Sequence, residues 1–170
     1  LEFTYSKLKI IEERAFYGSN LTKISLCNSM TTIGERAFQH CKNLKFNEGS
    51  NIEANTIGPF AFANCPKVSN IVVKSTNIGE SAFQCDKYSN LKISKIEQIK
   101  DGDEVKALEI GRYAFYGRTV SLKDIEKYKG LTINEFAFAF CTFEHEGSNF
   151  YGIQIDNGAD PITIGNHAFY

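Results

Sequence analysis

Cysteine is the residue type whose spacing most resembles a chemical site in this chain. Cys41, Cys65 and Cys141 each follow an Ala-Phe pair by three residues, and Cys85 follows one by two. If these positions stack in adjacent coils, their Cα atoms come within the window of about 4.4–6.8 Å that a disulfide requires. Glycine, which has no redox chemistry, holds nearly the same place in two other copies. We therefore predict buried, reduced thiols without a metal, a common use of free cysteine.

The remaining candidates for metal or catalytic chemistry are three histidines and two acidic loops. His40, His145 and His167 have no second ligand pair at metal spacing, which favours surface histidines. The loops at 101–104 and 156–160 resemble parts of a calcium loop, but they lack its carboxylate count and its closing glutamate. No nucleophile motif and no glycine-rich phosphate loop is present. The sequence therefore predicts no enzyme activity, no cofactor and no metal.

Charge and composition narrow the class of partner. The chain has 170 residues, and its 19 basic and 20 acidic residues give a formal net charge of −1. That balance indicates neither nucleic acid nor an anionic membrane as the partner. No segment approaches the roughly 18 apolar residues of a membrane helix, so membrane insertion of this segment is not predicted. The 14 phenylalanines, against no tryptophan, suggest a core that repeats one aromatic position.

An internal repeat accounts for the many phenylalanines. The phenylalanine of each Ala-Phe pair is the anchor of one copy, and the anchors are Phe16, Phe38, Phe62, Phe83, Phe115, Phe138 and Phe169. Isoleucine stands five residues before every anchor, and glycine follows that isoleucine in five of the seven copies. Periods of 20–50 residues are typical of solenoids, in which each unit packs only on its neighbours.

The elements within one repeat follow from local pattern. Short runs with apolar residues at every second position predict half-buried strands, at 21–26, 44–46, 71–73, 91–93 and 153–155. The Ile-Gly corner is assigned to backbone angles that only glycine adopts easily. The segment 35–41 suits a single helical turn, with Glu35 near its positive end. The predicted fold class is therefore α/β, a solenoid with a parallel sheet of short strands, one short helical turn per repeat and the anchors stacked inside.

The stretch Leu21–Cys41, which reads LTKISLCNSMTTIGERAFQHC, resembles the BspA-like, or Treponema-type, leucine-rich repeat. The resemblance covers essentially the whole chain. It departs from the family pattern at Cys27, where the family usually has proline, and in two repeats that carry about ten extra residues. It implies a leucine-rich-repeat solenoid of the kind found in surface-exposed or secreted proteins that adhere to or bind host proteins.

The pattern also predicts how the chain is organised. We expect residues 1–170 to form one solenoid of about seven repeats. Because the chain starts within a strand pattern and no polar capping unit is evident, we also expect it to be a fragment of a longer array.

The predicted function is a non-catalytic protein-binding module for adhesion or partner recognition, at a cell surface or secreted. The alternative is a structural scaffold or spacer subunit inside a larger assembly. Because strand residues alternate between faces, the outward positions form the predicted partner-binding face, and these are Ser25, Lys45, Val72, Lys92 and Gln154. The longer repeats place extra loops near 100–104 and 144–151, where binding residues are also expected.

Overall fold

The structure is a computed structural model that describes residues 2–4, 8–28, 30–85, 91–122, 128–144 and 161–170. Within these ranges every regular element is a β-strand of two to seven residues. The strands are β1 (Glu2–Thr4), β2 (Ile10–Ile11), β3 (Lys23–Ser25), β4 (Met30–Ile33), β5 (Asn51–Ile57), β6 (Ile71–Ser75), β7 (Asn77–Ile78), β8 (Lys92–Gln98), β9 (Lys100–Asp101), β10 (Glu104–Val105), β11 (Leu108–Ile110), β12 (Thr119–Ser121), β13 (Leu131–Ile133), β14 (Thr142–Glu144) and β15 (Ile162–Ile164).

The isoleucines before the glycine corner form a continuous parallel ladder. Strands β2, β4, β5, β7, β11, β13 and β15 pair in that order, with the isoleucine of each copy opposite that of the next. We call this the isoleucine ladder. Five of its seven isoleucines, from Ile33 to Ile133, are at most 1 % exposed, so the ladder is one wall of the core. The sequence predicted one strand column, downstream of the anchor, so this ladder is an addition to the prediction.

A second parallel ladder contains the strands that follow the anchors. Strands β5, β6, β8, β12 and β14 pair in that order, while β1 and β3 pair only with each other. We call the outer surface of these strands the strand face. Residues 44–47 take no strand conformation, so the strand predicted at 44–46 is not formed. The strand face is therefore interrupted between β3 and β5.

The predicted helical turn is wrong. Residues 35–40 form consecutive turns, and the described residues contain no helix. Hydrogen bonds within the turn alternate with bonds to the next coil. The amide of Ala37 donates to Gly34 O at 3.2 Å, whereas that of Phe38 donates to Ala61 O at 2.8 Å. Alternate amides of the turn therefore bond to the next coil instead of forming the hydrogen bonds of a helix.

This turn conformation recurs along the array, and it requires left-handed backbone two residues before each anchor. The residues there are not glycine, yet all have φ between 52° and 55°: Arg14, Arg36, Phe60, Ser81, Tyr113, Phe136 and His167. Left-handed φ is unfavourable for such residues. Hydrogen bonds between coils hold it in place, so the array imposes a backbone that the local sequence would not choose.

The anchor phenylalanines stack face to face through the core, as predicted. Consecutive rings lie 5.0–5.4 Å apart with interplanar angles of at most 9°. The five central rings, from Phe38 to Phe138, are completely buried. This phenylalanine column is the apolar axis of the solenoid, and burying one such side chain contributes about 1.5–3 kcal/mol.

The corner glycines are needed for a reason other than the one predicted. Gly34, Gly58, Gly79, Gly111 and Gly165 do not have left-handed φ. A Cβ added at Gly111 would lie 2.6 Å from the carbonyl carbon of Gly79 in the preceding coil. At these five corners glycine is therefore favoured by the close approach of two backbones, and Asn134 takes the same place in the sixth repeat.

Candidate functional site

Three of the five residues predicted to bind a partner lie in strands of the strand face, and a fourth lies where that face is interrupted. Ser25 lies in β3 and Lys45 in the interrupted segment 44–47, and both are exposed. Val72 in β6 and Lys92 in β8 are half-buried. The fifth, Gln154, lies outside the described residues, as do the predicted strand 153–155 and the loop residues 145–151.

Ser25 and Lys45 line a common groove at the interruption of the strand face. The groove has a volume of about 280 Å³. Its lining is Lys23, Ile24, Ser25, Leu26, Asn28, Lys45, Phe46, Asn47, Gly49, Ser50 and Asn51. Across the groove the Lys45 amide donates to Thr22 O at 3.1 Å, so one backbone bond joins the two sides. We call this the interruption groove.

Val72 and Lys92 lie in a different electrostatic environment. Near them, Glu97 forms ion pairs with Lys95 at 2.9 Å and with Lys74 at 3.1 Å. Lys92 forms an ion pair with Glu144. Burial alone would raise the pKa of Glu97, but the two ammonium groups outweigh it and lower that pKa. The charges on this part of the strand face therefore compensate one another, whereas the interruption groove has a net positive lining.

The column cysteines act as hydrogen-bond donors to the coil before them. Cys41 Sγ donates to Phe16 O at 2.9 Å, Cys65 Sγ to Phe38 O at 2.9 Å and Cys141 Sγ to Phe115 O at 3.0 Å. All five cysteines are free thiols. Cys41, Cys65 and Cys85 are buried as predicted, whereas Cys141 is only half-buried. We call the positions three residues after the anchors the thiol column.

Burial favours the protonated form of Cys65 and Cys141, whereas the side-chain hydrogen bond with Cys65 lowers the pKa of Cys41 to about 6. Burial raises the pKa of Cys141 to about 12. The hydrogen bond with Cys41 and burial together raise the pKa of Cys65 as well. A thiol with a raised pKa is a poor nucleophile, since the thiolate is the reactive form. The pKa shifts and the hydrogen bonds to the preceding coil therefore support a structural role for Cys65 and Cys141.

Arg118 is the residue that the sequence analysis missed. It stands three residues after Phe115, in the thiol column, next to Gly117, one of the two glycines that were predicted to take this place. Its side chain is 1 % exposed. Nε donates to Phe83 O at 2.6 Å and Nη1 to Val68 O at 3.0 Å, so the guanidinium reaches back over two coils. Counting three residues from every anchor would have found it.

The guanidinium of Arg118 is incompletely satisfied. Nη2 has no hydrogen-bond acceptor. Burial lowers the pKa of Arg118, and the nearby sulfurs of Cys85, Cys65 and Cys141 oppose that shift. A buried charge without a carboxylate partner is energetically costly. Arg118 therefore differs from the cysteines at the equivalent positions, which are uncharged as thiols.

The other sequence candidates have structural roles. His40 packs edge-on against Tyr17 with ring centroids 5.7 Å apart, and His167 lies against Phe136. The acidic loop 101–104 is the turn of a hairpin formed by β9 and β10. His145 and the acidic loop 156–160 lie outside the described residues. Among the residues that are described, no three His, Cys, Asp or Glu side chains group as metal ligands.

A second groove lies beside the isoleucine ladder, between three successive coils. In it Glu109 accepts hydrogen bonds from Asn134 at 2.9 Å and Asn77 at 3.4 Å, and Arg112 pairs with Glu135 at 3.2 Å. These polar groups satisfy one another across the coils. The arrangement stabilises the stack and exposes fewer unpaired groups to a ligand than the interruption groove does.

The family model described as BspA type leucine-rich repeat region matches residues 6–103 and 108–170, in six copies. The chain belongs to this family. Searches of curated proteins and of solved structures gave no match. Membership in the BspA-type family indicates a protein-interaction module, and such repeats are typically non-catalytic. In the part of the chain that is described, no helix is long and apolar enough to span a membrane.

Proposed function

We propose that this BspA-type array is a non-catalytic recognition module that binds a partner protein at a cell surface. One observation carries the proposal. The inward positions repeat the same residue in coil after coil, whereas the outward positions of the strand face hold serine, lysine and valine. A rigid core with a variable exterior can change its specificity without loss of stability.

Recognition is assigned to the strand face around Ser25, Lys45, Val72 and Lys92, with Gln154 as the fifth predicted residue. The predicted loops near 100–104 and 144–151 are further candidates for binding residues, since loops on a rigid scaffold commonly carry them. Adhesion to host or matrix protein is the specific form that we propose. It is supported by the resemblance of the repeat to surface-exposed members of the family.

The test begins with capture of extracellular-matrix proteins by the purified chain. Lys45→Glu and Lys92→Glu are then compared with Lys42→Glu, an exposed site in the same coil as Lys45 that does not line the groove. We expect the first two variants to weaken binding about fivefold or more, since reversing a charge at an interface places like charges together. Lys42→Glu should bind as the wild type does.

The competing function, a scaffold or spacer inside an assembly, gives a different result. A spacer would copurify with its assembly, and neither Lys45→Glu nor Lys92→Glu would change that association. Matrix binding that is unchanged in both variants, with intact thermal unfolding, would place the binding surface elsewhere. Labelling of exposed lysines in intact cells, compared with lysed cells, would test the surface location independently.

A further inference from the structure

We infer that the interruption groove is a binding site for an acidic sugar unit, that is, a pyranose ring that carries a carboxylate or a sulfate ester. This goes beyond the proposed function, because such a site would bind its ligand whether or not a protein docks on the same face. Three features carry the inference: the origin of the groove, its charge and the kinds of polar group that line it.

The groove exists because one strand is missing. Strand β3 pairs with β1, and the next strand of the face is β5, so the segment 44–47 crosses between them without forming a strand. An unbroken parallel ladder would bring neighbouring backbones to about 4.8 Å and would leave no space. The concave site is therefore built into the fold between two rigid edges.

The charge of the groove is positive and uncompensated. Lys23 and Lys45 line it, both exposed, and neither forms an ion pair within the described part of the chain. No described carboxylate lines it. On the neighbouring part of the strand face, by contrast, Lys74, Lys92 and Lys95 are all paired with glutamates. Two unpaired ammonium groups facing one concavity attract an anion.

The remaining polar groups favour a ligand with hydroxyls over a bare anion. Ser25, Asn28, Asn47, Ser50 and Asn51 line the groove. An asparagine amide offers two donors and an acceptor, and a serine hydroxyl offers both functions, which matches the mixed donor and acceptor character of sugar hydroxyls. A site for a simple oxyanion would need donors alone.

The size and the apolar part of the groove fit one ring. Its volume of about 280 Å³ is just below the range of about 300–1,000 Å³ that holds drug-sized ligands. Phe46 lines the groove and is half-buried, and its ring is held by an edge-on contact with Phe62 of the core at 6.2 Å. An immobilised aromatic ring offers an apolar surface to the C–H groups of a pyranose at little entropic cost.

The experiment is a titration of the ¹⁵N-labelled chain with D-glucuronate, followed by amide chemical shifts. D-glucose is the neutral control with the same ring, and N-acetylglutamate amide is the acidic control without sugar hydroxyls. We expect saturable shifts at Ser25, Asn47 and Ser50 with glucuronate, and at least about fivefold weaker binding of both controls. Glucose binding as tightly as glucuronate would overturn the role of the lysines. N-acetylglutamate amide binding as tightly would show a site for acidic peptides and overturn the sugar.

Matched variants test the two kinds of contact separately. Lys23→Gln and Lys45→Gln should each weaken glucuronate binding about fivefold, while Lys42→Gln, the same charge change outside the groove, should leave it unchanged. Asn47→Ala should weaken glucuronate but not N-acetylglutamate amide. An equal effect of Lys42→Gln, or no effect of Asn47→Ala, would overturn the site. If glucuronate fails to bind while Lys45→Glu still weakens partner capture, the inference falls and the proposed function stands.

Discussion

The phenylalanine column and the thiol column run side by side through the same turns, three residues apart, and they tolerate substitution very differently. The first holds the same residue in all seven copies, with rings stacked at 5.0–5.4 Å. The second holds Ser19, Cys41, Cys65, Asp86, Arg118 and Cys141 in sequence. In the second column Cys41, Cys65, Arg118 and Cys141 each donate a hydrogen bond to the anchor carbonyl of the preceding coil.

The difference shows that two kinds of constraint act on neighbouring positions. Ring stacking depends on the shape of the side chain, and close-packed interiors accept few alternatives to a given shape. An anchor carbonyl such as Phe38 O already accepts one backbone amide, and its second lone pair can accept from any side-chain donor that reaches it. One column therefore preserves a residue, and the other preserves an interaction.

Truncation in the phenylalanine column should have the largest effect. Phe83 lies in the middle of the stack and is completely buried. We expect Phe83→Ala to lower the free energy of unfolding by about 3–5 kcal/mol, because the cavity cannot collapse between two fixed coils. Chemical denaturation measures this directly. Unchanged stability would contradict the assignment of Phe83 to the core.

Removal of the buried arginine should have the next largest effect. Arg118→Met keeps a long side chain and removes an unpaired charge, but it leaves Phe83 O and Val68 O without the donors that now reach them. Each orphaned carbonyl costs about 1–3 kcal/mol, so we expect a net loss of about 2–4 kcal/mol. A variant more stable than the wild type would mean that the charge is costlier than the two hydrogen bonds are worth.

Two substitutions at one cysteine would separate interaction from volume. Phe38 O accepts from the Cys41 amide at 3.0 Å and from the Cys65 thiol at 2.9 Å; Cys65→Ser keeps this second donor, whereas Cys65→Ala removes it. If the hydrogen bond is what the column preserves, the serine variant should be more stable than the alanine variant by about 1 kcal/mol. A purely apolar position would give the reverse order, since burying a hydroxyl without a partner is unfavourable. Comparison of the two denaturation midpoints decides between them.

The smallest effect is an alkaline one, at Cys141. Its pKa is raised to about 12 in the fold, whereas an unfolded cysteine titrates near about 8.5. The unfolded chain therefore loses this proton first, so the stabilisation is complete below about pH 8.5 and is lost as pH rises toward 12. At pH 9 the loss from this residue should be about 0.8 kcal/mol. Cys141→Ala should remove that part of the pH dependence, and an identical slope in both proteins would refute it.

The sequence was sufficient for the core because its positions repeat. The interval from Ile33 to Phe38 recurs in every copy, and a periodic apolar pattern predicts a buried column whatever the backbone between its members. The outward position of Lys45 followed from counting along an expected strand. That strand is absent, yet the side chain is exposed and lines a groove with Ser25.

The turns could not be predicted in the same way. Residues 35–41 have acceptable helix propensity, but their alternate amides bond to the next coil. Helix propensity depends on the local sequence alone and does not include bonds between coils. The interruption at 44–47 also depends on neighbours, since Leu44-x-Phe46 has the same alternation as runs that do form strands. The groove was invisible in the sequence because it results from a missing pairing.

The amides of the turns give the array an electrical polarity along its axis. In three parallel rows, each of six hydrogen bonds, the N–H of one coil points to the carbonyl of the following coil, as from Arg14 to Glu35 and from Arg36 to Pro59. A peptide unit within a row thus directs its N–H forward and its C=O backward, and each unit carries a dipole of about 3.5 D. Aligned units add, and hydrogen bonds in series polarise one another. The corner amides form one row of six bonds in the opposite direction, as from Gly34 to Ile11, which offsets one of the three rows. The remaining excess leaves partial positive charge on the side of the later coils and partial negative charge on the side of the earlier ones.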